Sequence, residues 1–123
     1  MADTFEIVKT TVEDLKGKKA RLKKIDAAPT DTKFKKLPSD LAKAMRESFK
    51  GDFRKIQLHT GGNIRDVSKQ LKAKVFTIDQ NMYFAKTGDA KDLGLIAHEL
   101  THVAQQNGGT MPKTSKGKAF VSR

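Results

Sequence analysis

The sequence predicts an α+β domain of three helices and a short, mainly antiparallel sheet. Two observations carry this expectation. Apolar residues recur at helical spacing in three separate segments, and between those segments they alternate with polar residues in runs of strand length. A chain of 123 residues is about one ordinary domain, long enough to bury a core without crosslinks.

The first 36 residues scatter apolar positions (Ile7, Val8, Val12, Leu15, Leu22 and Ile25) among lysines. They fit either one short helix or a pair of strands, leading into Ala27-Ala28-Pro29-Thr30-Asp31 as a linker. The first clear helix opens at Leu37-Pro38. Ser39 or Asp40 caps it, Leu41, Ala44, Met45 and Phe49 form its apolar face, and Gly51 ends it. Lys55 to His59 alternates as a half-buried strand does, and Gly61-Gly62-Asn63 breaks it. Asn63 then caps a second helix carrying Ile64, Val67 and Leu71. Two strands, Lys74 to Ile78 and Met82 to Ala85, read as a hairpin around Asp79-Gln80-Asn81. The third helix follows Thr87-Gly88, with Asp89 as its cap and Asp92 in its first turn, and stops at Asn107-Gly108-Gly109. These boundaries divide the chain into a basic N-terminal extension (1–36), a core domain (37–107) and a basic flexible tail (108–123).

Cysteine is absent, so disulfides and thiolate metal sites are excluded and His, Asp and Glu are left as the strong metal ligands. The formal charge is +11, with an excess of basic residues in every third of the chain and no acidic residue after position 102. Such a charge suits an acidic partner surface. Without interleaved aromatics or a recognition-helix pattern, it argues against a dedicated nucleic-acid binder. The N-terminus lacks a signal-peptide pattern and no run of apolar residues is long enough to span a membrane. Synthesis in the cytoplasm is the expectation.

The third helix carries the chemistry. On a wheel of about 100° per residue, Leu93, Ile96, Ala97, Leu100, Val103 and Ala104 share one arc. His98 and His102 are four residues apart, which puts them about 40° apart on the far side and lets both imidazoles address one ion. Glu99 sits about 80° to one side, too far round to ligate easily. His98-Glu99-Leu100-Thr101-His102 is thus a His-Glu-x-x-His segment, the layout a zinc hydrolase needs. Zinc makes water acidic enough to lose a proton near neutral pH, and Glu99 is the candidate general base that passes this proton to the leaving amine. A catalytic zinc usually keeps three protein ligands. No His, Asp, Glu or Cys follows His102, so His59, at the end of its strand, is the candidate third ligand, with Asp79 and Asp89 behind it. If a substrate lay as an added strand along Met82 to Ala85, Tyr83 would be a candidate hydrogen-bond donor to the oxyanion.

Leu37-Pro38, Phe49-Lys50-Gly51-Asp52-Phe53, Ile56 to Thr60, Lys74 to Thr77, Tyr83-Phe84 and Leu95 to Gln106 together carry a resemblance. The segment His98 to Gln106, reading His-Glu-x-x-His-Val-x-Gln-Gln, is its most specific part. From Leu37 to Gln106 the chain resembles the core domain associated with extracellular contractile injection systems (eCIS). The resemblance implies a small zincin-like metallopeptidase fold of bacterial origin with the His-Glu-x-x-His segment on its last helix. It also implies association with phage-tail-like injection particles or with the toxins they deliver. Three functions follow as expectations. One is a zinc metallopeptidase that cleaves a cargo, toxin or particle protein. Another is a non-enzymatic zinc-stabilised cargo or packaging module whose basic ends dock on an acidic particle lumen. The third is a delivered effector, packaged in the particle and exported with it.

Overall fold

The structure is a computed structural model describing residues 4–15, 21–49, 51, 53–106 and 118–121; every structural statement below concerns these residues. Helix α1 (Thr4–Asp14) is followed by strands β1 (Arg21–Lys24) and β2 (Thr32–Lys36), helix α2 (Ser39–Ser48) and strand β3 (Gln57–Gly61). Helix α3 (Ile64–Leu71), the hairpin β4 (Val75–Ile78) and β5 (Asn81–Phe84), a 3-10 turn (Thr87–Lys91), helix α4 (Leu93–Gln106) and strand β6 (Lys118–Val121) complete the order.

The six strands form one sheet in the order β1-β6-β4-β5-β3-β2. Every adjacent pair is antiparallel except β3 and β5, which run parallel. The α+β class and the mainly antiparallel sheet therefore match the expectation. The helix number does not, because α1 is a fourth helix built from the N-terminal 36 residues. Val8 is buried on α1 with Ile7 and Val12 packed against the same core, and Leu15, just after the helix, is buried as well. The two alternatives for residues 1–36 are both realised in turn, a helix and then two strands.

Helices lie on both faces of the sheet. α1, α2 and α4 share the larger core with Leu58, Val75, Met82 and Phe84, while α3 packs Ile64, Val67 and Leu71 against Phe76 and Tyr83 on the opposite face. The alternation of strand side chains assigns each residue to one of these layers. α4 is the central element. Residues 96 and 97 and residues 99 to 104 are all buried, so the side of the helix opposite its apolar arc is covered and not wet. Gln105 Nε2 ties the end of α4 to the Val12 carbonyl of α1 at 3.0 Å. No described helix is long and apolar enough to cross a membrane.

Four local expectations change, the first at α2, which starts at Ser39 with Pro38 at its N-cap and no side-chain cap, and ends at Ser48 with Phe49, not Gly51, as its C-cap. Residues 107–117 lie outside the described residues, but Lys118–Val121, expected within a flexible tail, is strand β6 between β1 and β4. Ala119, Phe120 and Val121 are buried there. Four residues are too few to show periodicity, so only their distant partners identify them as a strand. Asp89 lies in the 3-10 turn, and Asp92 caps α4: its Oδ1 accepts the Leu95 amide at 3.2 Å. Buried Ala90 draws the preceding residues into that separate turn. Asn63 occupies the N-cap position of α3 but makes no side-chain cap; its Oδ1 accepts the Thr30 amide at 2.8 Å. That bond joins the α3 entry to the loop before β2. The turn there needs glycine at position 62, where φ is +55° and a Cβ would overlap the Thr30 carbonyl oxygen.

Candidate functional site

α4 places His98 and His102 one turn apart on the same side. Their ring centroids are 5.9 Å apart and the planes are nearly perpendicular, at 84°. A Zn–N bond of about 2.1 Å plus the ring radius puts each centroid about 3.2 Å from a shared ion, so tetrahedral coordination separates the centroids by about 5.3 Å. The observed centroid spacing lies within about 0.6 Å of this value. His98 is half-buried and His102 is buried.

Glu99, 1% exposed, lies under the sheet. Its Oε1 accepts the Thr77 hydroxyl of β4 at 3.3 Å. Thr77 was not singled out in the sequence, although a signal is present. It shares the strand face of Val75, a core residue, and a hydroxyl on a core-facing position needs a buried partner. Next along the helix, the buried Thr101 hydroxyl meets Met45 Sδ of α2 at 3.9 Å, so the motif's interior is packed against α2.

A cleft of about 620 Å³ opens beside the motif. Asp92, Gly94, Leu95, His98 and Glu99 form one wall and Lys72 to Val75, between α3 and β4, form the other. A ligand in the cleft meets an imidazole and a carboxylate on the helix side and the Lys72 and Lys74 residues on the strand side.

His59 and Tyr83 are not part of this arrangement. On β3 and β5 they pair in register, and Tyr83 packs with α3 on the far face of the sheet from α4. His59 Nε2 donates to Asn81 Oδ1 at 2.9 Å, and its Nδ1 is 2.8 Å from the Thr32 hydroxyl. The ring stacks on Tyr83 with centroids 4.6 Å apart. Phe34, His59, Tyr83 and Phe76 form an aromatic row across β2, β3, β5 and β4. The expected third ligand and oxyanion donor are thus structural residues of the second layer. The cause is strand parity: Leu58 and Met82 face α4, so their neighbours His59 and Tyr83 face away. β5 is also interior, between β4 and β3, and cannot receive a substrate as an added strand.

Burial raises the Tyr83 phenol above its ordinary value of 10.0, and the Asp79 carboxylate acts in the same direction. Its stability contribution is complete below the unfolded value near 10.0 and is lost as pH rises through the higher folded value. Tyr83 is the chain's one tyrosine and tryptophan is absent, so ultraviolet titration reports this phenol alone. The native midpoint is expected above 10.0 and should return toward it in denaturant, with Asp79→Asn lowering the native midpoint part of the way. Coincident native and denatured titrations would contradict the buried placement.

Among the described residues, no group of three or more His, Cys, Asp or Glu is placed to hold a metal. His98 and His102 are two candidate ligands on α4, where a catalytic zinc usually takes three from the protein. Asp3 and Asp52 are the acidic residues outside the described set.

No curated protein and no solved structure matches the chain. The family described as eCIS core domain matches residues 36–110, which take in the segment from the end of β2 through α4. That match covers more than half of the chain, and the chain belongs to the eCIS core domain family, associated with contractile injection systems.

Proposed function

We propose that the protein is a zinc-dependent peptidase of a contractile injection system, acting on a cargo, toxin or structural protein of the particle. The observation that carries this reading is the pair of imidazoles one helical turn apart, with Glu99 between them at the edge of an open cleft. His98 and His102 would hold the metal, with a third ligand supplied by a partner chain. Zinc, when bound, supplies Lewis-acid polarisation of the scissile carbonyl. Glu99 takes the proton of the attacking water and delivers it to the leaving amine. The Thr77 hydroxyl fixes the orientation of the Glu99 carboxylate for that transfer. The cleft walls hold the peptide against His98, and Lys72 and Lys74 draw acidic residues to the strand side.

Glu99→Gln separates binding from chemistry. The variant is expected to retain zinc by elemental analysis and to lose cleavage of a co-expressed particle protein by at least about 100-fold, the scale of a lost general base. Undiminished cleavage by Glu99→Gln would end the peptidase reading. The formal charge of +11 supports a second reading, a zinc-stabilised packaging module without catalysis whose basic ends dock on an acidic lumen or cargo. In that case Glu99→Gln changes neither zinc content nor particle loading, and removal of the C-terminal lysines weakens loading.

A further inference from the structure

β2 ends the sheet, and among the described residues nothing pairs with its outer edge. Thr32 is half-buried and Lys33 to Lys36 are exposed. The strand has two different faces. Phe34 is 62% exposed on the α3 side, with its ring 5.6 Å from that of His59. Lys33 and Lys35 stand opposite Thr60 and Leu58 on the other side. There they line a recess of about 210 Å³ with Thr60, Thr87, Ala90 and Lys91. Among the described residues, no carboxylate lines this recess.

An open edge offers a row of backbone hydrogen-bonding groups to any extended chain. Edge lysines repel a second copy presenting the same strand, so this edge is guarded against self-pairing. A guard alone does not call for a large exposed aromatic, and Phe34 is the most exposed large apolar residue among those described. The same lysines attract a strand of opposite charge. A strand laid along β2 would alternate its side chains between the two faces, so residues flanking one over Phe34 would stand over Lys33 and Lys35.

We propose that the outer edge of β2 is a docking site for an acidic, extended protein segment. Its carboxylates alternate with apolar residues: the carboxylates lie on Lys33, Lys35 and Lys91, and the apolar side chain covers Phe34. β2 lies outside the family-matched segment except at Lys36, so the strand that would receive the segment belongs to this chain's own extension, while Lys91 lies within the match. It is remote from the His98–His102 pair in sequence and is independent of the peptidase reading.

The test titrates the full chain with a labelled synthetic peptide alternating glutamate and valine. Saturable binding is expected, weakening steeply as salt is raised. Lys33→Glu with Lys35→Glu should weaken binding about tenfold or more. Phe34→Ala should weaken it separately, and bound peptide should slow amide exchange within Lys33 to Lys36. All these positions are exposed, so the variants keep the fold, which circular dichroism checks. Equal binding of a peptide with the same residues in two blocks would overturn the proposal, as would unchanged exchange in β2. Single-stranded DNA that displaces the peptide and loses affinity with the same substitutions would reassign the surface to nucleic acid.

Discussion

A chain ending at Gly117 is expected to lose most of its folding stability, although it removes only six residues from a basic terminus. The removed segment contains β6, which pairs with β1 on one side and β4 on the other. Without it, β1 has no neighbour in the sheet and the interior strand β4 becomes an edge. Ala119 and Val121 leave the core built on α3, and Phe120 leaves Val103 of α4. Burial of a Phe and a Val contributes roughly 1.5–3 kcal/mol each, and the alanine and the lost strand pairing add to this. The sum, on the order of 5 kcal/mol, rivals the whole stability of a small domain, about 5–15 kcal/mol. Urea denaturation followed by circular dichroism should show a much lower midpoint, or no cooperative transition at all. The single substitution Phe120→Ala should show the same direction with about half the loss. A truncated chain with an unaltered midpoint would mean that β6 is a tail after all.

This prediction marks the boundary of what the sequence discloses. α2, β3, α3, the β4–β5 hairpin and α4 were all legible, because each carries its own periodic pattern with turn residues beside it. β1 and β6 were not. Arg-Leu-Lys-Lys and Lys-Ala-Phe-Val are four-residue runs whose strand character comes from pairing with each other across nearly a hundred residues. The site divides in the same way. His98, Glu99 and His102 are one local helical pattern, and they lie on a helix, α4, as their spacing implies. His59 and Tyr83 required knowledge of which sheet face meets α4. Both faces are covered by helices, so apolar residues occur at both parities and alternation alone does not identify the face. The buried state of Glu99 was hidden for a related reason. A helix wheel shows which side is apolar, while the polar side of α4 is covered by Thr77 and the sheet.

Substituting the two motif histidines should have unequal consequences, and the inequality separates metal binding from packing. His98 is half-buried and lines the cleft, whereas His102 is 7% exposed within the fold. If both ligate zinc, His98→Ala and His102→Ala should each weaken zinc binding by more than about 100-fold, beyond the 10–100-fold typical of residues that only support a ligand. Metal at 100 times its dissociation constant adds about 2.7 kcal/mol to stability, so wild-type protein should melt higher with zinc than after chelation. Either substitution should remove that difference. In the chelated state the two variants part. His98→Ala, at a half-buried position on the cleft wall, should lose less, about 0.5–1 kcal/mol. His102→Ala should be destabilised by about 1–3 kcal/mol through loss of a buried ring. Thermal melts at fixed zinc and in chelator, with zinc content measured alongside, distinguish the outcomes. A zinc-dependent rise in melting temperature that survives His98→Ala would remove that imidazole from the metal site. With a single histidine then left on α4, the peptidase reading would have no shared ion on which to act.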